Sequence, residues 1–258
     1  MTSEPPPVPG PDLGTTPSAS DGGQDADPGL RGRLIAAGVE LVHAEGAQAL
    51  TLREIARRAG VSHGAPRRYF PTHLDLLSAI AREGFTELGA RVAATAGDDD
   101  VALAATTGGE DVAFDATTGG EGVALDAPAS DGPQAARARL DALARAYLDF
   151  ALTRRGMYEL MFRHDLLESG RLGLRDTSLP LFALLTGLVD HALAGSGTTS
   201  RPDSAVVAGA LWANLHGIAQ LWSWGSLALA TRTENPEDLD TLLRAALDAH
   251  LGPTGGER

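Results

Sequence analysis

The stretch TLREIARRAGVSHGAPRRYFPTHLDLL, Thr51–Leu77, decides how this chain is read. Thr51 followed three residues later by Glu54 is a capping box, which satisfies backbone donors at the start of a helix. Leu52, Ile55, Ala56 and Ala59 fall at helical spacing and leave Arg53, Arg57 and Arg58 outward. Gly60 is the natural stop, because a residue with a Cβ resists the left-handed conformation required there. Ser62 is placed to cap a second short helix carrying His63, Gly64, Ala65, Arg67, Arg68, Tyr69 and Phe70. Two short helices joined through a glycine form a helix-turn-helix, whose second helix enters the major groove of DNA while the first crosses the backbone. A glycine-broken helix pair also occurs in ordinary helical proteins. Against that stands the clustering of Arg, Tyr, Ser and His on so short a second helix, too polar for a core element.

Working outward, the chain reads as all-α: a three-helix head at 30–76, a connecting helix at 77–96 and a helical body at 134–252. Leu34, Ala37, Leu41 and Ala44 mark a first helix that ends at Gly46. Leu74, Leu77, Ala81, Gly84, Phe85 and Leu88 mark one face of a fourth helix, long enough to join the head to the body. Residues 1–29, rich in Pro, Gly, Ser and Asp, are expected to be a disordered tail, as are 253–258. Residues 97–133 hold units that begin at Val101, Val112 and Val123, with nine acids and no Arg. Thr-Thr-Gly-Gly in the first two units opposes a helix, so this stretch reads as an acidic, disordered linker.

In the body, Leu140, Leu143, Ala144, Tyr147 and Phe150 share one face of a fifth helix. Met157, Tyr158, Leu160, Met161 and Phe162 begin a sixth after Gly156. Pro180 sits near the first turn of a seventh, Asp203–Leu229 form an eighth, and Pro236 starts a ninth. VVAGALWANLHGIAQLWSWG, Val206–Gly225, is apolar nearly all round and so needs cover on most sides. Ala205, Gly209, Ala213 and Gly217 recur every four residues, a small-residue stripe along which another helix can approach closely. Pairing of the last two helices with their symmetry mates, with Leu239 and Leu243 at the contact, gives a homodimer.

Composition bounds the function. With no cysteine, neither a disulfide framework nor a thiolate metal site or nucleophile exists. There is no metal-ligand spacing such as HExxH and no phosphate loop, so no cofactor is expected. His164–Asp165 are adjacent, and adjacent helical residues point apart, so acid–base chemistry there is disfavoured. No apolar run reaches the length of a membrane span, and the N-terminus is acidic rather than basic-then-apolar; a cytoplasmic protein is expected. The net charge of −13 is uneven: nine Arg face six acids over 30–95, a local +3, against −16 elsewhere. Because salt screens charge beyond about 10 Å, the local balance governs attraction to phosphate.

With these residues in place, the sequence resembles the TetR family of transcriptional regulators. That family's head pattern is matched by Thr51, Ile55, Ala56, Ala59, Gly60, Val61, Ser62, Gly64, Tyr69, Phe70, Leu76 and Leu77, within Leu30–Leu88. Trp212, His216 and Gly217 further resemble the family's ligand-binding domain named for its Trp, His and Gly. The resemblance implies a homodimer whose heads bind a pseudo-palindromic operator, most often as a repressor. It also implies a largely apolar small-molecule effector in the body that tilts the fourth helix and releases DNA. DNA contacts are expected from Thr51, Arg53, Ser62, His63, Gly64, Ala65, Arg67, Arg68, Tyr69 and His73. Many family members carry Tyr where Arg67 stands, Lys where His73 stands, and an apolar residue where Pro66 stands. Candidates to line an effector pocket are Tyr147, Phe150, Tyr158, Met161, Phe162, Trp212 and His216, although an aromatic stripe is more often plain core. The competing readings are a DNA-binding regulator without an effector, its body serving only dimerisation or a protein partner, and an enzyme, for which no nucleophile, metal or cofactor motif is present.

Overall fold

A computed structural model describes residues 28–96, 132–163, 167, 174–194, 203–232 and 235–253. Among these residues all regular structure is helical. In chain order the elements are α1 Pro28–Glu45, a 3₁₀ turn Ala47–Ala49, α2 Leu52–Arg58, α3 Pro66–Tyr69 and α4 His73–Ala96. The body follows with α5 Pro133–Thr153, α6 Arg155–Met161, α7 Leu174–Leu193, α8 Ser204–Ser223, α9 Ser226–Thr231 and α10 Pro236–Leu251.

Local chemistry sets the head. Gly60, at φ +69°, turns the chain between α2 and α3 in the left-handed region that an L side chain avoids. Pro66 occupies the first turn of α3, where its missing N–H is not needed. Thr72 and Asp75 then cap α4 reciprocally: the Thr72 N–H donates to Asp75 Oδ2 at 2.8 Å and the Asp75 N–H to Thr72 Oγ1 at 3.1 Å. Leu34, Leu41, Ile55, Phe70, Leu76 and Ile80 are all but fully buried together and lock α1, α2, α3 and the first half of α4 into one unit. The second half of α4 buries Phe85, Leu88 and Val92 against α5, α6 and α7, so a single helix belongs to both the head and the body.

Several sequence expectations are corrected. The expected helical architecture holds, with ten helices among the described residues, but Gly225 at φ +72° breaks the long eighth helix into α8 and α9. α1 begins at Pro28, inside the tail expected at 1–29, and Ala44 on its expected inner face is exposed. Pro180 lies inside α7 rather than near its start; burial of Leu174 and Thr177 holds the turns that precede it. The capping box at α2 is half formed. Thr51 Oγ1 accepts from the Glu54 N–H at 3.2 Å, but the Glu54 carboxylate turns to Arg57 instead of back to the cap. Ser62 does not cap α3 through its side chain; Ala65 stands at the cap and α3 is only four residues long. As its all-round apolar sequence implies for a single protomer, α8 is covered only in part: Val206, Trp212 and Leu221 remain exposed, as does Trp224 beyond its end. Leu243 is 1% exposed within its own protomer, packed with Ala246 and Leu247, and is therefore unavailable to a partner. The acidic repeat of 97–133 lies outside the described residues except for Gly132 and Pro133, as do His164 and Asp165.

Candidate nucleic-acid interface and ligand cavity

The outer surface of the helix-turn-helix is polar because its apolar residues point the other way. Pro66 and Phe70 are buried, and the Arg31 guanidinium lies 5.5 Å over the Phe70 ring, which seats α3 on α1. Arg53, Ser62, His63, Gly64, Arg67 and Arg68 are exposed, Thr51 lies beside them at the cap of α2, and Ala65 and Tyr69 are half-buried. The arginines of α2 divide by role. Arg57 donates to Glu54 at 2.9 Å and Arg58 to Glu45 at 2.7 Å, so both serve the fold. Arg53 and Arg67 have no carboxylate partner among the described residues. His73 is placed differently from the expectation: its Nε2 is buried and without a hydrogen-bond partner, so that atom is not presented to a phosphate.

In the body a cavity of about 340 Å³ opens between α4, α5, α7 and α8. α4 contributes Phe85, Leu88 and Val92; α5 contributes Leu143 and Tyr147. Phe162, at the end of α6, and Trp212, on α8, close two sides. α7 supplies Ser178, Leu179, Leu181, Phe182 and Leu185. The volume falls at the small end of small-molecule sites, and the wall is apolar with few polar groups, as such sites require. No charged side chain lines it among the described residues.

Three polar side chains from three helices meet at the wall residue Tyr147. The Tyr147 and Tyr158 hydroxyls are 3.0 Å apart, and both reach His216 Nδ1, at 3.0 and 2.7 Å. Burial pushes the Tyr147 phenol up to about 12 and raises that of Tyr158 as well. Burial lowers His216, whose charged form loses hydration. The cluster is therefore neutral at neutral pH. Aromatic rings hold it in place: Phe162 lies edge-on to Tyr158 at 5.0 Å and to His216 at 4.8 Å.

Of the pocket residues expected from sequence, Tyr147, Phe162 and Trp212 lie on the wall. Tyr158 and His216 stand behind Tyr147 as its hydrogen-bond partners. Phe150 and Met161 are at most 1% exposed and belong to the solid core, which corrects their placement. Sequence reading missed the α4 contribution. Phe85 and Leu88 carry the right spacing, but the same spacing marks a core face, and nothing in it signals a void. No group of three His, Cys, Asp or Glu side chains suited to a metal gathers among the described residues.

A helix-turn-helix with exposed guanidinium groups, rigidly continuous through α4 with a cavity-bearing helical body, defines a DNA-binding regulator. Comparisons with known proteins assign it further. The profile of the bacterial regulatory proteins of the tetR family matches residues 34–80, and that of the tetracyclin repressor-like C-terminal domain matches 140–250. The chain belongs to the TetR family of transcriptional regulators. A protein of unknown function from Rhodococcus sp. RHA1 is 27% identical, over 90% of this chain and 97% of its own, with a TM-score of 0.59. Two further structures share the fold. A putative TetR-family regulator from Vibrio parahaemolyticus is 18% identical, covering 85% of this chain and 97% of its own, with a TM-score of 0.52. A regulatory protein of the tetR family from Rhodococcus RHA1 is 20% identical, covering 88% and 98%, with a TM-score of 0.54. No curated protein gives a significant match.

Proposed function

We propose that this protein is a homodimeric repressor that binds a pseudo-palindromic operator and leaves it when an apolar small molecule enters the body cavity. The observation that carries this reading is the shared helix. Phe85, Leu88 and Val92 of α4 form one side of the cavity, while Leu76 and Ile80 of the same helix are fixed in the head. A molecule that prefers a wider cavity biases the tilt of α4 and with it the position of α3. It shifts the equilibrium only by its difference in affinity for the two arrangements.

The exposed apolar surface of α8 supports the dimer. Val206 is 67% exposed, and a Cβ added at Gly209 or Gly217 meets nothing within 4 Å. The stripe Ala205, Gly209, Ala213 and Gly217, together with the half-buried Leu239 of α10, is the surface assigned to the partner. Two heads then read half-sites about 34–36 Å apart or a multiple of that. DNA contacts are assigned to α3 and its approach, foremost Arg67, with Arg53 on the backbone side. The protein works where the chromosome is, in the cytoplasm; no described helix is long and apolar enough to cross a membrane.

Retention of fragmented genomic DNA by the purified protein, followed by sequencing, tests this. The expected result is an enriched palindromic motif that disappears with Arg67→Ala. Retention without any motif would overturn the reading.

A further inference from the structure

The polar corner of the cavity defines the chemistry of what fills it. Tyr147 belongs both to the wall and to the hydrogen-bonded cluster, so the cluster meets the cavity through it. The protons can be counted. If His216 Nδ1 is bare, the Tyr158 hydroxyl donates to it at 2.7 Å and the Tyr147 hydroxyl donates to Tyr158 at 3.0 Å. Tyr147 then has no proton left for the cavity and offers it only lone pairs. If His216 Nδ1 carries the proton, the direction reverses: His216 donates to Tyr158, Tyr158 donates to Tyr147, and the Tyr147 proton is left for the cavity. A ligand hydroxyl satisfies both states, since it donates and accepts. A carbonyl satisfies only the second.

The rest of the described wall offers nothing to a charge. No basic side chain lines it among the described residues, and an entering carboxylate would exchange water for Phe85, Leu143, Phe182 and Leu185 with no counter-charge. Ser178 is the other hydroxyl on the wall, and it sits on α7 beside the exposed Leu179.

We infer that the cavity takes an uncharged, mainly aromatic or alicyclic molecule bearing a hydroxyl, with Tyr147 as the residue that selects the hydroxyl; this rests on the cavity being the effector site. Tyr158 and His216 are positioning residues that hold the Tyr147 hydroxyl at the wall.

Three probes of one shape test it by calorimetry on the full-length protein: 1-naphthol, naphthalene and 1-naphthoate, the last an anion at neutral pH. Wild type should bind naphthol roughly 3- to 10-fold more tightly than naphthalene, the net worth of one hydrogen bond. Naphthoate should bind at least about 100-fold more weakly than naphthol. Tyr147→Phe should bring naphthol to the level of naphthalene while leaving naphthalene unchanged, and retained naphthalene binding shows that the variant is folded. Ser178→Ala should keep the preference for naphthol. Naphthoate binding as tightly as naphthol, a preference for naphthol that survives Tyr147→Phe, or no binding of any probe overturns the inference. Operator affinity measured with naphthol bound separates the two readings. Occupancy without any change in operator affinity contradicts the effector reading while the assignment of the hydroxyl stands.

Discussion

Adding one methyl group at Gly156 should destabilise this protein, whereas adding one at Gly187 should stabilise it. Gly156 lies in the first turn of α6, where that helix meets the end of α1. A Cβ built there falls 2.4 Å from the Val42 carbonyl oxygen and 3.1 Å from the Gly46 Cα, against the 3.4 Å at which ordinary contact begins. Both neighbours are backbone, so no rotamer change relieves the overlap. The junction must open by about 1 Å, and the Val42 oxygen also accepts the Gly46 N–H at 3.0 Å, the bond that closes α1. Overpacking of this kind costs about 1–3 kcal/mol. Replacing glycine by alanine in a helix returns at most about 1 kcal/mol. A net loss of about 1–2 kcal/mol follows for Gly156→Ala, or roughly 2–8 °C in Tm for a chain of this size. At Gly187, inside α7, nothing lies within 4 Å of the added Cβ, so only the helix gain of about 0.5–1 kcal/mol remains. Thermal and denaturant unfolding of both variants at one protein concentration measures the pair. Shifts of the same sign, or a Gly156→Ala variant as stable as wild type, would refute the close approach of α6 to α1.

Other expectations are simpler to state. Burial lowers His216 and His43, the latter with help from Arg154, below the ordinary 6.5. The unfolded chain therefore takes up protons that the folded chain refuses. Stability is complete above about pH 6.5 and declines as pH falls below it. His216→Gln should flatten that slope in denaturant midpoints taken across the range. Glu87 accepts from Arg154 at 2.9 Å, which ties α4 to the body, and from Arg91 of its own helix at 2.8 Å. Burial acts to raise its pKa, but the two hydrogen bonds prevail and the pKa is lowered. Glu87→Gln should lose up to about 1 kcal/mol, and the loss should shrink at high salt because these groups are partly exposed. Arg67→Ala should weaken operator binding by about 1–3 kcal/mol in an anisotropy titration, with Tm unchanged since Arg67 is exposed.

The head was legible in the sequence because its determinants are local. Gly60, Thr51 and the polar residues after Ser62 lie within a few positions of the elements they define. Even there, the length of α3 was not legible, since Ser62 as a cap and Pro66 as a first-turn residue fit different starting points, and the structure uses Pro66. The body was legible as helices but not as a container. Leu88 and Val92 obey the same periodicity whether they meet a neighbouring helix or a void. The polar cluster joins residues 11 and 58 positions apart in sequence, a proximity that no local pattern encodes. α8 was legible as an apolar helix that one protomer leaves partly uncovered, but not which of its sides are left. Apolar residues on every side imply cover, but periodicity does not distinguish a surface covered within the protomer from one left for a partner.

The most direct test of the account is reciprocity between the cavity and the head. Once selection has yielded an operator and the naphthol series a cavity ligand, operator Kd is measured with and without saturating ligand, and ligand Kd with and without saturating operator. The account predicts that both constants weaken by one common factor of at least about 5, as linkage requires of two sites coupled through α4. A ligand whose binding depends on Tyr147, but which leaves operator affinity unchanged, would contradict it.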